Sequence, residues 1–137
     1  MTDARYTALV LAASRGNLDP LAQAGGVSHK CFIDIAGRPM LLHLLDTVDA
    51  LRAAKRVVVL GNGREQVEQA LSGHGIEVAV QSEQKGTGHA VRQAAQALAG
   101  HEGTVLILFG DVPFVGGATL TRMRERLEHP DKPGVVV

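Results

Sequence analysis

Cysteine is almost missing from this sequence. Cys31 is the only one, so no internal disulfide can form, and a single thiol fits a reducing compartment. Net charge is missing too, with 14 Lys and Arg against 14 Asp and Glu. A chain without a basic field is a poor partner for duplex nucleic acid. No apolar run approaches the roughly 20 residues that a membrane helix needs. The run from Tyr6 to Ala13 imitates a short signal-peptide core. It follows Asp3 rather than a basic cluster, however, and a strand entering a loop accounts for it. The chain is therefore read as cytoplasmic, with neither nucleic acid nor membrane as a partner.

Several chemical signatures are also lacking. There is no Gly-x-x-x-x-Gly-Lys-Ser/Thr phosphate loop. The six histidines are scattered, with no His-Glu-x-x-His and no cysteine pair, so the common zinc patterns are absent. Ser14 lies outside any Gly-x-Ser-x-Gly elbow. Gly61-Asn62-Gly63-Arg64-Glu65-Gln66 starts like a dinucleotide fingerprint, but Gln66 stands where the third glycine belongs.

What is present is a globular composition. The 137 residues are 45% hydrophobic and 20% charged, enough for one domain with a core, taken as residues 1–137. Tyr6 to Ala12 is a continuous apolar run, as suits a central parallel strand buried on both faces. A loop is expected from Ala13 through Pro20, Gly25 and Gly26, then a short extended piece over Phe32 to Ile35. Gly37-Arg38-Pro39 opens a predicted helix, with Pro39 near its first turn, whose Met40, Leu41, Leu44, Leu45, Val48 and Leu51 recur at helical spacing.

Further strands are predicted at Arg56 to Leu60, Ile76 to Val80 and Thr104 to Phe109. Helices are predicted at Arg64 to Leu71, Val91 to Leu98 and Ala118 to Leu127. Gly134-Val135-Val136-Val137 reads as a fifth strand starting. Four strand–helix alternations imply right-handed βαβ units and a mostly parallel sheet covered on both faces. The closing valines would leave an apolar edge, so the chain is expected to be either the first portion of a longer domain or a naturally short relative, with a partner chain or second copy covering that edge.

In open α/β sheets ligands bind outside the carboxyl ends of the strands. Three segments of unusual chemistry stand at such ends: Leu11 to Gly16, Gln81 to Gly88 and Gly110 to Pro113. Gln81 and Gln84 each carry a donor and an acceptor that can meet a pyrimidine edge. Gly86 and Thr87 add backbone and hydroxyl contacts. The N–H groups of a strand-to-helix turn suit an anionic or amide-bearing ligand. Asp111, between a glycine and a turn proline, is placed to hold Mg²⁺, which takes one or two carboxylates together with phosphate oxygens and water.

The string Gln81-Ser82-Glu83-Gln84-Lys85-Gly86-Thr87-Gly88-His89-Ala90-Val91 resembles the uracil-reading loop of the bacterial N-acetylglucosamine-1-phosphate uridylyltransferases. Leu11-Ala12-Ala13-Ser14-Arg15-Gly16 is similar to the opening Leu-Ala-Ala-Gly-x-Gly-Thr-Arg-Met of the nucleotidyltransferases, with Ser14 in place of a glycine and Asn17 and Leu18 in place of threonine and arginine. Lys30 falls where that family has the lysine of Pro-Lys-x-Leu, with His29 replacing the proline. Ile35-Ala36-Gly37-Arg38-Pro39-Met40-Leu41 matches its Gly-x-Pro-Met-Leu pattern. Gly110-Asp111-Val112-Pro113-Phe114 is shared with the molybdenum-cofactor nucleotidyltransferases, so it does not choose a substrate.

The resemblance implies a three-layer, Rossmann-like nucleotidyltransferase fold. It also implies transfer of a nucleoside monophosphate, with UTP favoured, to a sugar 1-phosphate. Leu11, Ala12, Ala13, Ser14, Gly16, Gln81, Gln84, Gly86, Thr87 and Gly110 would bind the nucleotide. Lys30 would be a catalytic cation facing the phosphates, and Asp111 would hold Mg²⁺. Arg15, which stands at an unspecified position of the family pattern, is near enough to substitute as a second catalytic cation for the arginine that Leu18 replaces. The alternative is a nucleotide-binding module or inactive fragment that keeps the base-reading loop, favoured by Ser14, Asn17 and Leu18. A dinucleotide-binding domain built on Gly61 and Gly63 is a third reading.

Overall fold

The computed structural model describes residues 3–13, 19–131 and 133–137, with side chains from Tyr6 onward. In chain order the elements are β1 (Asp3–Ala12), α1 (Pro20–Ala24), a 3-10 turn (Lys30–Phe32), β2 (Asp34–Ile35), β3 (Arg38–Pro39) and α2 (Met40–Ala50). There follow β4 (Ala53–Leu60), α3 (Glu65–Leu71), β5 (Glu77–Val80), α4 (Thr87–Gln93), β6 (Thr104–Phe109) and α5 (Gly117–Leu127). The long strands form one parallel sheet in the order β5-β4-β1-β6, and β2 and β3 make a small antiparallel hairpin.

The sequence accounts for this arrangement. Every residue from Tyr6 to Ala12 is buried, because β1 is flanked by strands on both sides and by helices on both faces. Successive side chains in a strand point to opposite faces. Tyr6, Ala8, Val10 and Ala12 therefore share one core with Val58, Leu60 and Leu108, covered by Leu41, Leu44, Leu45 and Val48 of α2, Val67 and Leu71 of α3 and Leu120 of α5. Leu9, Leu11, Val57 and Val59 face the other way, onto Ala90, Ala94 and Ala97. The small alanines let that chain segment approach the sheet closely.

From β1 the chain winds outward to β4 and β5, then returns past its start to β6. Right-handed crossovers put α2 and α3 on one face and the returning α4 on the other. The winding reverses between β1 and β6, where a crevice opens at the carboxyl ends of the strands. Register keeps those ends level: Ala12 pairs with Leu60, Leu60 with Val80, and Leu11 with Phe109.

The structure corrects several expectations. The stretch read as a loop through Pro20 contains α1, started by Pro20 and capped by Asp19, whose Oδ1 accepts the Leu21 N–H at 2.9 Å. The helix expected from Val91 begins at Thr87 and ends at Gln93, with turns continuing to Gly100. Pro39 is the N-cap residue of α2, next to its first turn as expected, whereas Phe32 belongs to the 3-10 turn rather than to an extended piece. Gly134 to Val137 is not a strand. Valine-rich sequence favours strand only where a neighbour offers its backbone and a packed face, and Val135 and Val137 have neither burial nor ladder partner. The exposed apolar edge belongs instead to β6, where Val105, Ile107 and Phe109 are 36%, 43% and 46% exposed. No helix among the described residues is long and apolar enough to cross a membrane.

Candidate nucleotide site

The loop after β1, the 3-10 turn, the β5–α4 loop and the end of β6 enclose a cleft of roughly 230 Å³. Leu11, Ala12, Ala13, Lys30, Gln81, Gln84, Gly86, Thr87, Gly110 and Asp111 all line it. Segments 70 to 100 positions apart in sequence thus meet at the level strand ends, which is what a doubly wound topology does. Arg15, Ser14 and Gly16 lie outside the described residues. Four further lining residues are not marked as site residues by the sequence: His29, Cys31, Ala90 and Phe109.

Gly110 explains how Asp111 reaches the cleft. The Gly110 N–H donates to Leu11 O at 2.9 Å, holding the ends of β6 and β1 together. A Cβ on Gly110 would stand 3.1 Å from Ala12 Cβ and 3.3 Å from Leu11 O, so a side chain would push the two strand ends apart and tilt Asp111 away. Across the cleft, the 3-10 turn presents Lys30. Its ammonium stands 2.7 Å from Asp111 Oδ2 and 3.6 Å from Asp19 Oδ2. The hydrogen bond to Asp111 is the main reason the Lys30 amine is held above its ordinary pKa, outweighing partial burial. Asp19 is a neighbour that the sequence does not announce. Its position before Pro20, a helix-start signal, marks it as ordered but not as a partner of Lys30.

The chain neighbours of Lys30, His29 and Cys31, add no charge at neutral pH. His29 is held below the usual imidazole range, first by burial and then by the Lys30 charge. Its Nδ1 lies 2.9 Å from Cys31 Sγ. Burial pushes the Cys31 thiol up to about 12, so it stays protonated at neutral pH and is no nucleophile. Among the described residues lining this wall, the cationic character therefore resides in Lys30.

The opposite wall is the β5–α4 loop. The Gln81 N–H continues the sheet ladder onto Leu60 O at 2.8 Å, and Asn62 Nδ2 donates to Ser82 O at 3.1 Å. These bonds tie the loop to β4 and to the turn that follows it. Gly86 then turns the chain into α4 with φ 96° and ψ 177°, a conformation open in practice only to glycine. Gly86→Ala is expected to destabilise the fold by about 1–3 kcal/mol through this strain, seen as a lowered urea midpoint at unchanged m-value. No steric clash adds to it, because nothing lies within 4 Å of a Cβ there. α4 spans only seven residues, so the loop acts through its own polar groups rather than through a long helix dipole. Gln84 and Thr87 are exposed at the rim. Gln81 is not: it is 1% exposed, and its amide nitrogen is engaged with Gly86 O at 3.2 Å and His89 Nδ1 at 2.9 Å.

Comparison with known proteins gives the family and the fold. A model of the MobA-like NTP transferase domain matches residues 8–137. The bifunctional protein GlmU of Sphingopyxis alaskensis is 55% identical over 130 residues, covering 95% of this chain and 28% of that protein. GlmU of Rhizorhabdus wittichii is 49% identical over 137 residues, covering 100% of the chain and 29% of its own length. The chain thus spans under a third of these curated relatives. Among solved structures, Rv0371c from Mycobacterium tuberculosis superposes with TM-score 0.72 at 25% identity, covering 93% of this chain and 62% of that one. A nucleotidyl transferase from Methanothermobacter thermautotroptrophicus gives 0.69 at 26% identity, with 88% and 57% covered. Sheet order, switch-point cleft and matched family model converge on one statement: the chain belongs to the MobA-like NTP transferase domain family.

Proposed function

We propose that residues 1–137 form a uridylyltransferase-type domain, or the nucleotide-binding portion of a longer one, acting in the cytoplasm. In the reaction a phosphate oxygen of a sugar 1-phosphate attacks the α-phosphorus of UTP. The bond from that phosphorus to the bridging oxygen breaks, and pyrophosphate leaves. The observation that carries the proposal is the facing of two unlike walls across one cleft: the amide- and glycine-rich loop of Gln81 to Thr87, and the Lys30–Asp111 pair at 2.7 Å. The loop is suited to a base, and the pair to phosphates. The likeness of that loop to the uracil-reading loop of the uridylyltransferases favours uridine.

Each residue has a role. Gln81, Gln84, Gly86 and Thr87 hold base and ribose. Leu11, Ala12, Ala13 and Gly110 form a smooth floor on which the nucleotide can lie close to the backbone. Lys30 neutralises phosphate oxygens as a point charge. Asp111 suits Mg²⁺: its carboxylate is a hard oxygen donor, part-exposed at the cleft, and already accepts a cation, the Lys30 ammonium. Asp111 would hold Mg²⁺, and the chemistry the ion would supply there is neutralisation of the charge that shifts to the leaving pyrophosphate. No cluster of three or more potential metal ligands exists among the described residues, consistent with a metal whose remaining ligands are substrate oxygens and water.

The second reading, a nucleotide-binding module without turnover, is favoured by Leu18 standing where the family has an arginine. Pyrophosphate release measured over a panel of nucleoside triphosphates and sugar 1-phosphates with Mg²⁺ separates the readings. UTP with a sugar 1-phosphate is expected to give the highest rate. Nucleotide binding without release from any pair would leave the binding module, and absence of binding would overturn both.

A further inference from the structure

The Gln81 amide is buried yet lines the cleft, and its orientation follows from chemistry. Gly86 O can only accept, so the Gln81 atom 3.2 Å from it is the amide nitrogen. The same nitrogen stands 2.9 Å from His89 Nδ1. An amide nitrogen only donates, so Nδ1 is bare and the ring proton of neutral His89 sits on Nε2. The amide nitrogen of Gln93 is placed 3.2 Å from Nε2. With Gln81 fixed by Gly86 O, it is the Gln93 amide that must be turned by half a turn, so that its oxygen meets the Nε2 proton. Of the two anchors on Gln81, His89 is the closer. Gly86 O is already shared with the Ala90 N–H at 3.1 Å. Both Gln81 N–H groups are thereby engaged, and Oε1 has no hydrogen-bond partner among the described residues.

We infer that His89 is a positioning residue whose bare Nδ1 holds the Gln81 amide with its oxygen presented to the cleft, so that the site accepts a base edge bearing N–H and rejects one bearing a lone pair. The ligand in this inference rests on the uridylyltransferase reading. Uracil offers N3–H at that edge, whereas cytosine offers a bare N3, which would meet the Gln81 oxygen lone pair to lone pair. Glutamine by itself is indifferent to the two bases, because its ends are interchangeable. The selectivity comes from the residue behind it, which lies eight positions away on α4.

Two variants of the whole chain test this beside wild type. His89→Asn returns an acceptor to the place of Nδ1. His89→Lys puts a charged donor there, which draws the Gln81 oxygen round at the expense of the longer bond to Gly86 O and leaves the NH₂ for the cleft. Calorimetry with Mg²⁺ should show wild type and His89→Asn favouring UTP over CTP by roughly tenfold or more. In His89→Lys that ratio should fall to near unity or invert. The added charge of lysine acts on both triphosphates alike and cancels in the ratio. Equal changes of both affinities in His89→Lys, with the ratio kept, would reduce His89 to a structural residue and overturn the inference. The ¹⁵N spectrum of the His89 ring gives a readout independent of nucleotide. A bare Nδ1 in the free protein is expected, and a protonated Nδ1 overturns the orientation even if UTP binds. A wild type that binds neither nucleotide, with Nδ1 bare, overturns the functional reading and the ligand named here, and leaves the hydrogen-bond geometry standing.

Discussion

Lys30→Ala is expected to weaken UTP binding by about tenfold or more while leaving the affinity for uridine unchanged. A charge-assisted hydrogen bond contributes roughly 1.5–3 kcal/mol. The lower part of that range applies, because Lys30 is a quarter exposed and works against solvent screening. The contrast between the two ligands is what locates the residue. Lys30 projects from the 3-10 turn toward Asp111 and Asp19, whereas the β5–α4 loop, proposed to read the base, is hydrogen-bonded to β4 and its following turn. Loss of the ammonium should be felt at the phosphates and not at the base. Stability should change little, since both carboxylates reach water once the cation is gone. Calorimetric titration of wild type and variant with uridine and UTP measures all four affinities. A Lys30→Ala protein that loses uridine as readily as UTP would place Lys30 in the framework of the site and not on the phosphates.

How far the site is legible in the sequence depends on distance along the chain. The sheet is legible because a continuous apolar run such as Tyr6 to Ala12 has to be buried on both faces, and alternating helices then dictate parallel strands. Level strand ends, and so the meeting of Leu11, Gln81 and Asp111 in one cleft, follow from topology alone. Short elements are harder. The five residues of α1 carry one helical turn of signal between Asp19 and Gly25, and two adjacent glycines outweigh it. Gly86 and Gly88 likewise hide the early start of α4, which tolerates Gly88 in its first turn. Gly134 to Val137 shows the converse, since strand-forming composition does not make a strand without a ladder partner. Least legible are contacts that local folding creates. Asp19 meets Lys30 only because α1 and the 3-10 turn pack together. In sequence the Gln81 amide offers both a donor and an acceptor, yet in the fold Gly86 O and His89 Nδ1, brought together by the turn into α4, take its donors.

Asp111→Asn is expected to lower Mg²⁺-dependent pyrophosphate release by about 10²–10³-fold, the usual penalty for removing one electrostatic stabiliser from group transfer. The substitution keeps the size and shape of the side chain, so the Gly110 turn and the Leu11 O bond should survive. What disappears is one negative charge at the mouth of the cleft. Two effects then compete. The Lys30 ammonium, no longer paired at 2.7 Å, is freer to meet phosphate, which by itself would strengthen UTP binding in the absence of metal. The site also loses its anionic oxygen for Mg²⁺, so the gain in affinity that Mg²⁺ brings to wild type should shrink or vanish. Turnover should follow the second effect, because freeing a ground-state cation does not replace charge neutralisation at the departing pyrophosphate. Wild-type release is itself expected to be slow beside binding, since Leu18 cannot supply the bidentate cation that an arginine would. The measurement therefore sets release rates with and without Mg²⁺ beside UTP affinities from the same preparations. Equal Mg²⁺ stimulation of wild type and Asp111→Asn would remove Asp111 from the metal site and leave the Lys30–Asp111 pair as a structural clasp between the 3-10 turn and β6.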